Sequence, residues 1–484
     1  MSALGPTTGM WMLVVLGVLI ISTGLPVWTL LIGVSSAFAL LGLASGVMDL
    51  NVLSAMPQRL VGLLEGDLLQ ALPLYVFVGI LLQRLAVATS MYWGLVHVLN
   101  PLGAGHAMAG LGLGALIAPM NGSVASSSSL LARLVAPRLG YMEPARATAL
   151  ISVAATTGVV IPPSLVLILL GDAMMRAHTE AANLPGSLLG KQQIINTQDV
   201  FHAALLPGLA ILLAWALVVR WQNRHVHPEH TRLSARQAGV ALVAGLSIVV
   251  LLAGVFTGKL FAVEAAATGC MLLVVGTLVM RALDWSGWKE VMAHTLSLSG
   301  ALMALLVGAT VFSLVFRLFG TDRWLSALLL SSPMPPLVTA AAVLLVVALC
   351  AWVLDAFEMI FVVIPIIAPP LVGMLGDAQQ AAVLLLLVLQ LSFLVPPMGY
   401  AVMMARTHSQ RPVTMRALLR ALAPFIAVQV AVVMLVFAAP WVVHRLDATV
   451  VVEARESEED ITRQMEQMVV PLESSPEPAV PNKP

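Results

Sequence analysis

Two short stretches decide the fold: Val160-Ile161-Pro162-Pro163-Ser164 and Leu394-Val395-Pro396-Pro397-Met398. Each lies inside an apolar run of membrane-spanning length, read here as 147–170 and 380–404. Proline has no backbone N–H, and its ring collides with the carbonyl of the preceding turn. A Pro-Pro pair therefore breaks a helix where it stands. In hydrocarbon such a break is tolerated only where protein or a wet cavity surrounds it. Both pairs thus predict discontinuous helices buried inside a membrane protein.

The rest of the chain agrees. Of its 484 residues 60% are hydrophobic and only 10% charged, with a mean hydropathy of +0.97. Soluble domains carry about a quarter charged residues. Spans are expected at roughly 10–24, 27–45, 71–90, 147–170, 203–220, 237–256, 262–281, 297–319, 380–404 and 421–442. The runs are continuously apolar rather than alternating, which argues against a barrel. The first run, from Met10 and Trp11, has no basic segment before it, so a retained span is expected rather than a cleaved signal. The polar stretches are few: a connection at 46–70 with room for an interfacial helix, a loop at 172–202, a basic loop at 221–236, and an acidic, then Pro-rich tail whose last stretch should be disordered.

Formal net charge is zero, and no basic patch points to nucleic acid. Cys270 and Cys350 sit in apolar runs and read as small buried hydrophobes. No phosphate-cradling loop ending in Gly-Lys-Ser/Thr is present. Uphill transport would need an ion gradient or another subunit. A membrane enzyme would need convergent carboxylates or histidines at one face, and none are apparent, so the chain is read as a non-enzyme.

Two further apolar regions, 104–137 and 328–371, are interrupted near their centres. The first contains Pro119-Met120-Asn121-Gly122-Ser123 and then Ser126 to Ser129; the second contains Asp355 and Glu358. Each is expected to be a re-entrant helical hairpin with a polar tip. Pro162 and Pro396 are 234 residues apart, and the tips at Gly122 and Asp355 are 233 apart. The chain therefore reads as a duplicated plan of span, hairpin, Pro-Pro-broken helix and span. Its segments are 1–70 (scaffold helices), 71–222 (first repeat), 223–296 (further scaffold), 297–442 (second repeat) and 443–484 (tail). Repeated discontinuous helices point to a binding site near the midplane of a secondary transporter.

Basic residues give the orientation. Arg133, Arg138 and Arg146, then Arg220, Arg224, Arg232 and Arg236, then Arg281 and Lys289, then Arg406, Arg411, Arg416 and Arg420 all fall on one side if both hairpins are re-entrant. That side is expected to be the cytoplasm, with both termini outside and the hairpins inverted. Arg59, Arg317 and Arg323 fall on the other side, against the trend.

The site is expected where polar groups meet the breaks. Gly122 lets the first tip turn and expose carbonyls. Asn121 and Ser123 add side-chain oxygens of the kind a hard cation prefers. Asp355 is a carboxylate inside a span, able to hold a cation or to cap the next half-helix. Glu358 lies nearly one turn further on. Pro162, Pro163, Pro396 and Pro397 free carbonyls upstream, including those of Ile161 and Val395, while Ser164 opens the second half of the first broken helix. Carbonyls suit a cation, and half-helix N-termini suit an anion. His106 is read as a hydrogen-bonded structural residue.

These residues resemble the large membrane subunit of TRAP transporters, the tripartite ATP-independent periplasmic carriers, over about 5–445. The matching pieces are Gly105-His106, Asn121-Gly122-Ser123, Arg138 to Tyr141, Ile161-Pro162-Pro163-Ser164, Asp355, Pro365 to Pro370, and Val395-Pro396-Pro397-Met398-Gly399. The resemblance implies sodium-coupled import of an organic acid across the bacterial inner membrane by an elevator motion. It also implies a periplasmic binding protein that delivers the acid and a small four-helix membrane subunit. Two departures stand out. Asn121 replaces the first Ser of a Ser-Gly-Ser tip, and Val395 replaces Thr before the second proline pair. A carrier of an organic anion that works alone with an ion gradient would share the same broken helices.

Overall fold

The computed structural model describes residues 5–49, 54, 56–64, 67–121, 123–162, 164–189, 195–226, 233–396, 399–409 and 412–447. Gly122, Pro163, Pro397 and the tail from 448 lie outside these. Among the described residues there is no strand. Apolar stretches become helices because only intrahelical hydrogen bonds satisfy the backbone in lipid, and polar caps mark where many of them begin. Asn196 and Asp199 exchange backbone bonds at 2.8 and 2.9 Å. Ser234 caps through Gln237 N at 3.2 Å, and Asp284 through Gly287 N at 2.9 Å.

Two helices lead: α1 (Pro6–Thr23) and α2 (Val27–Ala44). The short α3 (Met56–Leu64), in the expected connection, precedes α4 (Asp67–Arg84) and α5 (Val87–Leu99). The first hairpin is α6 (Gly105–Asn121) and α7 (Val124–Leu134). The first broken helix is α8 (Pro144–Val160) and α9 (Leu165–Ala182), bent by 43°. Then come α10 (Thr197–Gln222), α11 (Ala235–Phe256), α12 (Ala262–Val279), α13 (Trp285–Leu318) and α14 (Thr321–Leu330). The second hairpin is α15 (Pro336–Ala351) and α16 (Ala356–Leu375), with a wide π turn over Met359–Val363. The second broken helix is α17 (Ala378–Ser392) and α18 (Tyr400–Thr407), followed by α19 (Met415–Ala438).

Three sequence expectations need correction. The span expected at 71–90 is two helices, with α5 leaving α4 at 73°. The chain turns after Arg84, whose guanidinium pairs with Glu290 of α13 at 2.6 Å. Residues 172–182 are not loop: α9 runs to Ala182, because Asp172 and Arg176 pair at 3.0 Å one turn apart and support the helix. The span expected at 297–319 begins at Trp285. Its 34 residues extend about 50 Å at 1.5 Å per residue, well beyond a hydrocarbon core of about 30 Å.

Contacts between helix ends sort them onto two faces. On one, Arg84 meets Glu290, and Arg138 covers the rings of Tyr92 and Trp93 at 5.3 and 5.2 Å. A Cβ on Gly103 would stand 3.0 Å from Arg220 Nη1. On the other, Thr321 donates to Pro6 O at 2.7 Å and Leu188 N to Gly373 O at 2.8 Å. There too, Gln380 Nε2 donates to Val436 O at 2.9 Å, and His444 meets Asp377 at 2.6 Å. Both ends of the first hairpin lie with the first set, and the C-terminal end of the second hairpin lies with the other. The hairpins are inverted, and the face holding the base of the first is the basic one.

The interior is the two hairpins wrapped on the two broken helices. Small residues let backbones touch there. A Cβ on Gly158 of α8 would lie 2.3 Å from the carbonyl carbon of Ala118 on α6, and one on Gly114 would lie 2.4 Å from Ala154 O. This is the close approach by which helices associate without a hydrophobic driving force.

Candidate ion and solute site

At the first tip, Ser123 caps α7: its Oγ accepts from Ser126 N at 3.5 Å. Asn121 is the last residue of α6. Gln83 of α4 donates to the Ser126 hydroxyl, so the tip also rests on α4. The Ser128 hydroxyl is buried without a partner. The first break adjoins this tip through the Gly158–Ala118 approach. Ile161 is extended, and its N–H closes α8 on Thr157 O at 3.1 Å. Pro162 is buried. Ser164 is fully buried and caps α9, accepting from Leu167 N at 3.1 Å.

At the second tip Asp355 does the same for α16. Its Oδ1 accepts from Ala356 N at 2.6 Å, while Glu358 Oε2 accepts from Asp355 N at 3.0 Å. Both carboxylates are half-buried. Trp352 ties this tip to the second break, donating its indole N–H to Val395 O at 2.8 Å. Gly399 N donates to the same oxygen at 3.0 Å, which fills both lone pairs of a carbonyl. A Cβ on Gly399 would lie 2.7 Å from the carbonyl oxygens of Phe393 and Val395, so only glycine fits that turn.

The two halves meet at Gln390, whose side chain donates to Thr156 O at 3.2 Å and accepts from Gln429 Nε2 at 2.8 Å. An unbroken line of contacts thus runs from the first tip through α8 and α17 to the second tip. Sequence reasoning singled out the tips and breaks but missed Trp352, Gln390 and Gln429. For the two glutamines a signal was there: an amide in the middle of an apolar run.

His106 is hydrogen-bonded to Tyr92 at 2.8 Å through Nδ1, a structural role at the base of the hairpin. A cavity of about 690 Å³ lies between α4, α5, α11 and α12 and reaches this site at Met120. Its walls are mostly apolar, unsuited to an ion. Among the described residues no three or more His, Cys, Asp or Glu side chains cluster as for a metal. A cation here would be held by carbonyls, hydroxyls and the Asp355–Glu358 pair.

The sequence family described as the DctM component of the tripartite ATP-independent periplasmic transporter matches residues 13–442. The chain belongs to this family. As a TRAP large permease it is 24% identical over 389 residues to the sialic acid TRAP transporter large permease of Vibrio cholerae, covering 78% of this chain and 84% of that one. It is also 24% identical over 340 residues to the C4-dicarboxylate TRAP large permease of Pseudomonas aeruginosa, covering 67% and 74%. Its fold resembles that of the YdaH transporter of Alcanivorax borkumensis, with a TM-score of 0.58 at 15% identity over 85% of this chain and 96% of that one. The TRAP permease is therefore a multi-pass helical membrane protein with inverted hairpins.

Proposed function

We propose that this TRAP permease imports an organic acid together with sodium across the bacterial inner membrane, with the basic face in the cytoplasm. The reading is supported by the approach of each hairpin to a Pro-Pro-broken helix: Ala118 of α6 lies against Gly158, just before the first break, and Trp352, just before Asp355 and Glu358, reaches the carbonyl of Val395. Each approach gathers oxygen ligands against interrupted backbone inside the bilayer, which suits a cation. The half-helix N-termini at Val124, Leu165 and Ala356 carry positive dipole ends, which suit an anion.

In this reading Asn121, Gly122, Ser123, Ile161 and Pro162 supply one sodium region, and Asp355, Val395 and Pro396 the other. Pro163, Pro397, Glu358 and Ser164 shape their walls. A sodium ion taking the Val395 carbonyl must displace Trp352 or Gly399 N–H. The ion is cargo, not a resident cofactor. The hairpins and broken helices move together as an elevator.

The remaining components are a small four-helix membrane subunit that braces the permease and a periplasmic binding protein that captures the solute. Both named relatives, at 24% identity each, handle carboxylic acids. Their equal similarity makes the class the proposal, not the compound. The test is uptake into proteoliposomes holding all three components, with sodium and candidate acids varied. The reading expects accumulation only with sodium outside and the binding protein present. Full-rate uptake by the purified permease alone would favour the stand-alone carrier instead.

A further inference from the structure

A second cavity, of about 450 Å³, opens between α9, α13 and the start of α16. It lies toward the face opposite the basic one, where α13 ends beside α9. Four charges line it. Arg317 Nη2 on α13 meets Glu180 Oε1 on α9 at 2.5 Å, and Arg176 Nη2 meets Asp172 Oδ2 at 3.0 Å. Ser313 of α13 lines the same wall. Phe361, three residues beyond Glu358 in the chain, lines the wall formed by α16.

Arg317 is out of place by the charge rule, which puts arginine on the other face. A guanidinium near the edge of the bilayer on the disfavoured side calls for a reason. Its planar fork of five N–H donors matches a carboxylate in two parallel bonds. The cavity volume falls in the range of small-molecule sites. The Arg317 and Glu180 side chains are 42% and 33% exposed, so neither charge is sealed inside the protein and the pair is open to exchange.

We propose that this cavity is an antechamber that receives the carboxylate of an acid on the face opposite the basic one. Arg317 is the binding residue, and Glu180 is a built-in competitor that holds the guanidinium until an acid replaces it. The proposal rests on the organic-acid reading above and adds a site to it. Arg176, held in the same way by Asp172, gives the cavity its second positive group. No bond is made or broken covalently; one carboxylate exchanges for another on the same guanidinium.

The test places a reporter in the cavity: Ser313→Cys in the full complex, with Cys270 and Cys350 replaced by alanine. Labelling by a small neutral methanethiosulfonate is timed with succinate or sialic acid added as probes. We expect at least one acid to slow labelling by about threefold or more at saturation. Arg317→Gln should abolish that protection, Arg317→Lys should retain part of it, and Glu180→Gln should bring half-protection at about a third of the acid concentration. A purely structural ion pair would instead make Arg317→Gln and Glu180→Gln shift protection in the same direction, which overturns the proposal. So does protection by neither acid. Unhindered labelling of each variant without acid shows the cavity is intact. A complex that shows Arg317-dependent protection but takes up no acid would defeat the transport reading and leave the site standing. Acid uptake without protection would do the reverse.

Discussion

Gln390 gives its side-chain N–H to the carbonyl of Thr156 at 3.2 Å, across 234 positions of chain. That interval is the spacing of Pro162 and Pro396. Two equivalent positions of the repeat therefore touch at the centre of the fold, where the two broken helices pass each other. Gln429 extends the link by donating to Gln390 Oε1 at 2.8 Å.

Replacing this amide should loosen the core. Gln390→Leu keeps the bulk but removes the bond to Thr156 O and one of the two acceptors of Gln429 Nε2, which keeps Leu387 O at 3.2 Å. The expected cost is about 0.5–2 kcal/mol, the range for hydrogen bonds between membrane helices. Thermal unfolding in detergent should show it as a lowered midpoint, with Gln390→Glu worse and Gln390→Asn intermediate. An unchanged midpoint for Gln390→Leu would mean that the contact carries no stability.

Gly158→Ala should be among the most damaging single methyl additions in the chain. The new carbon would stand 2.3 Å from backbone of Ala118, so α6 and α8 must separate. An overpacking cost of about 1–3 kcal/mol follows, and it displaces the first tip from the first break. Gly276→Ala, with nothing within 4 Å of its Cβ, is the control. Yield and uptake should fall for Gly158→Ala and stay normal for Gly276→Ala.

Asp355 has a cap and a charge, and two substitutions separate them. Asp355→Asn keeps an oxygen for Ala356 N but removes the charge. The sodium concentration for half-maximal uptake should rise by about tenfold, roughly 1.4 kcal/mol of lost ion binding. Asp355→Ala also removes the cap and should cost about 1 kcal/mol more in stability. Wild-type sodium response in Asp355→Asn would leave Asp355 a cap alone.

Orientation can be read by labelling single cysteines with an impermeant maleimide on spheroplasts. Ser331→Cys, after α14, should react at once, whereas Ser234→Cys, before α11, should react only after the membrane is opened. Equal reactivity of the two would overturn the assignment of the basic face to the cytoplasm.

The sequence by itself determined the class of structure and the places where it breaks. Apolar length forces helices in lipid, and Pro162 and Pro396 interrupt them wherever the rest of the chain goes. The tips at Gly122 and Asp355, each read from its own polar interruption, follow nearly the same offset as those prolines. These are local or periodic properties, carried by covalent geometry and hydropathy. The pairing of tips with breaks was beyond that reading. Nothing in the run around Trp352 says that its indole will reach Val395, or that Gln390 will find Thr156, because an amide in an apolar segment is equally served by any neighbouring carbonyl. The 73° turn after Arg84 and the ion pair of Arg317 with Glu180 are of the same kind. Each depends on which helix packs beside which, and only the tertiary structure decides that, since the partners are brought together from distant parts of the chain.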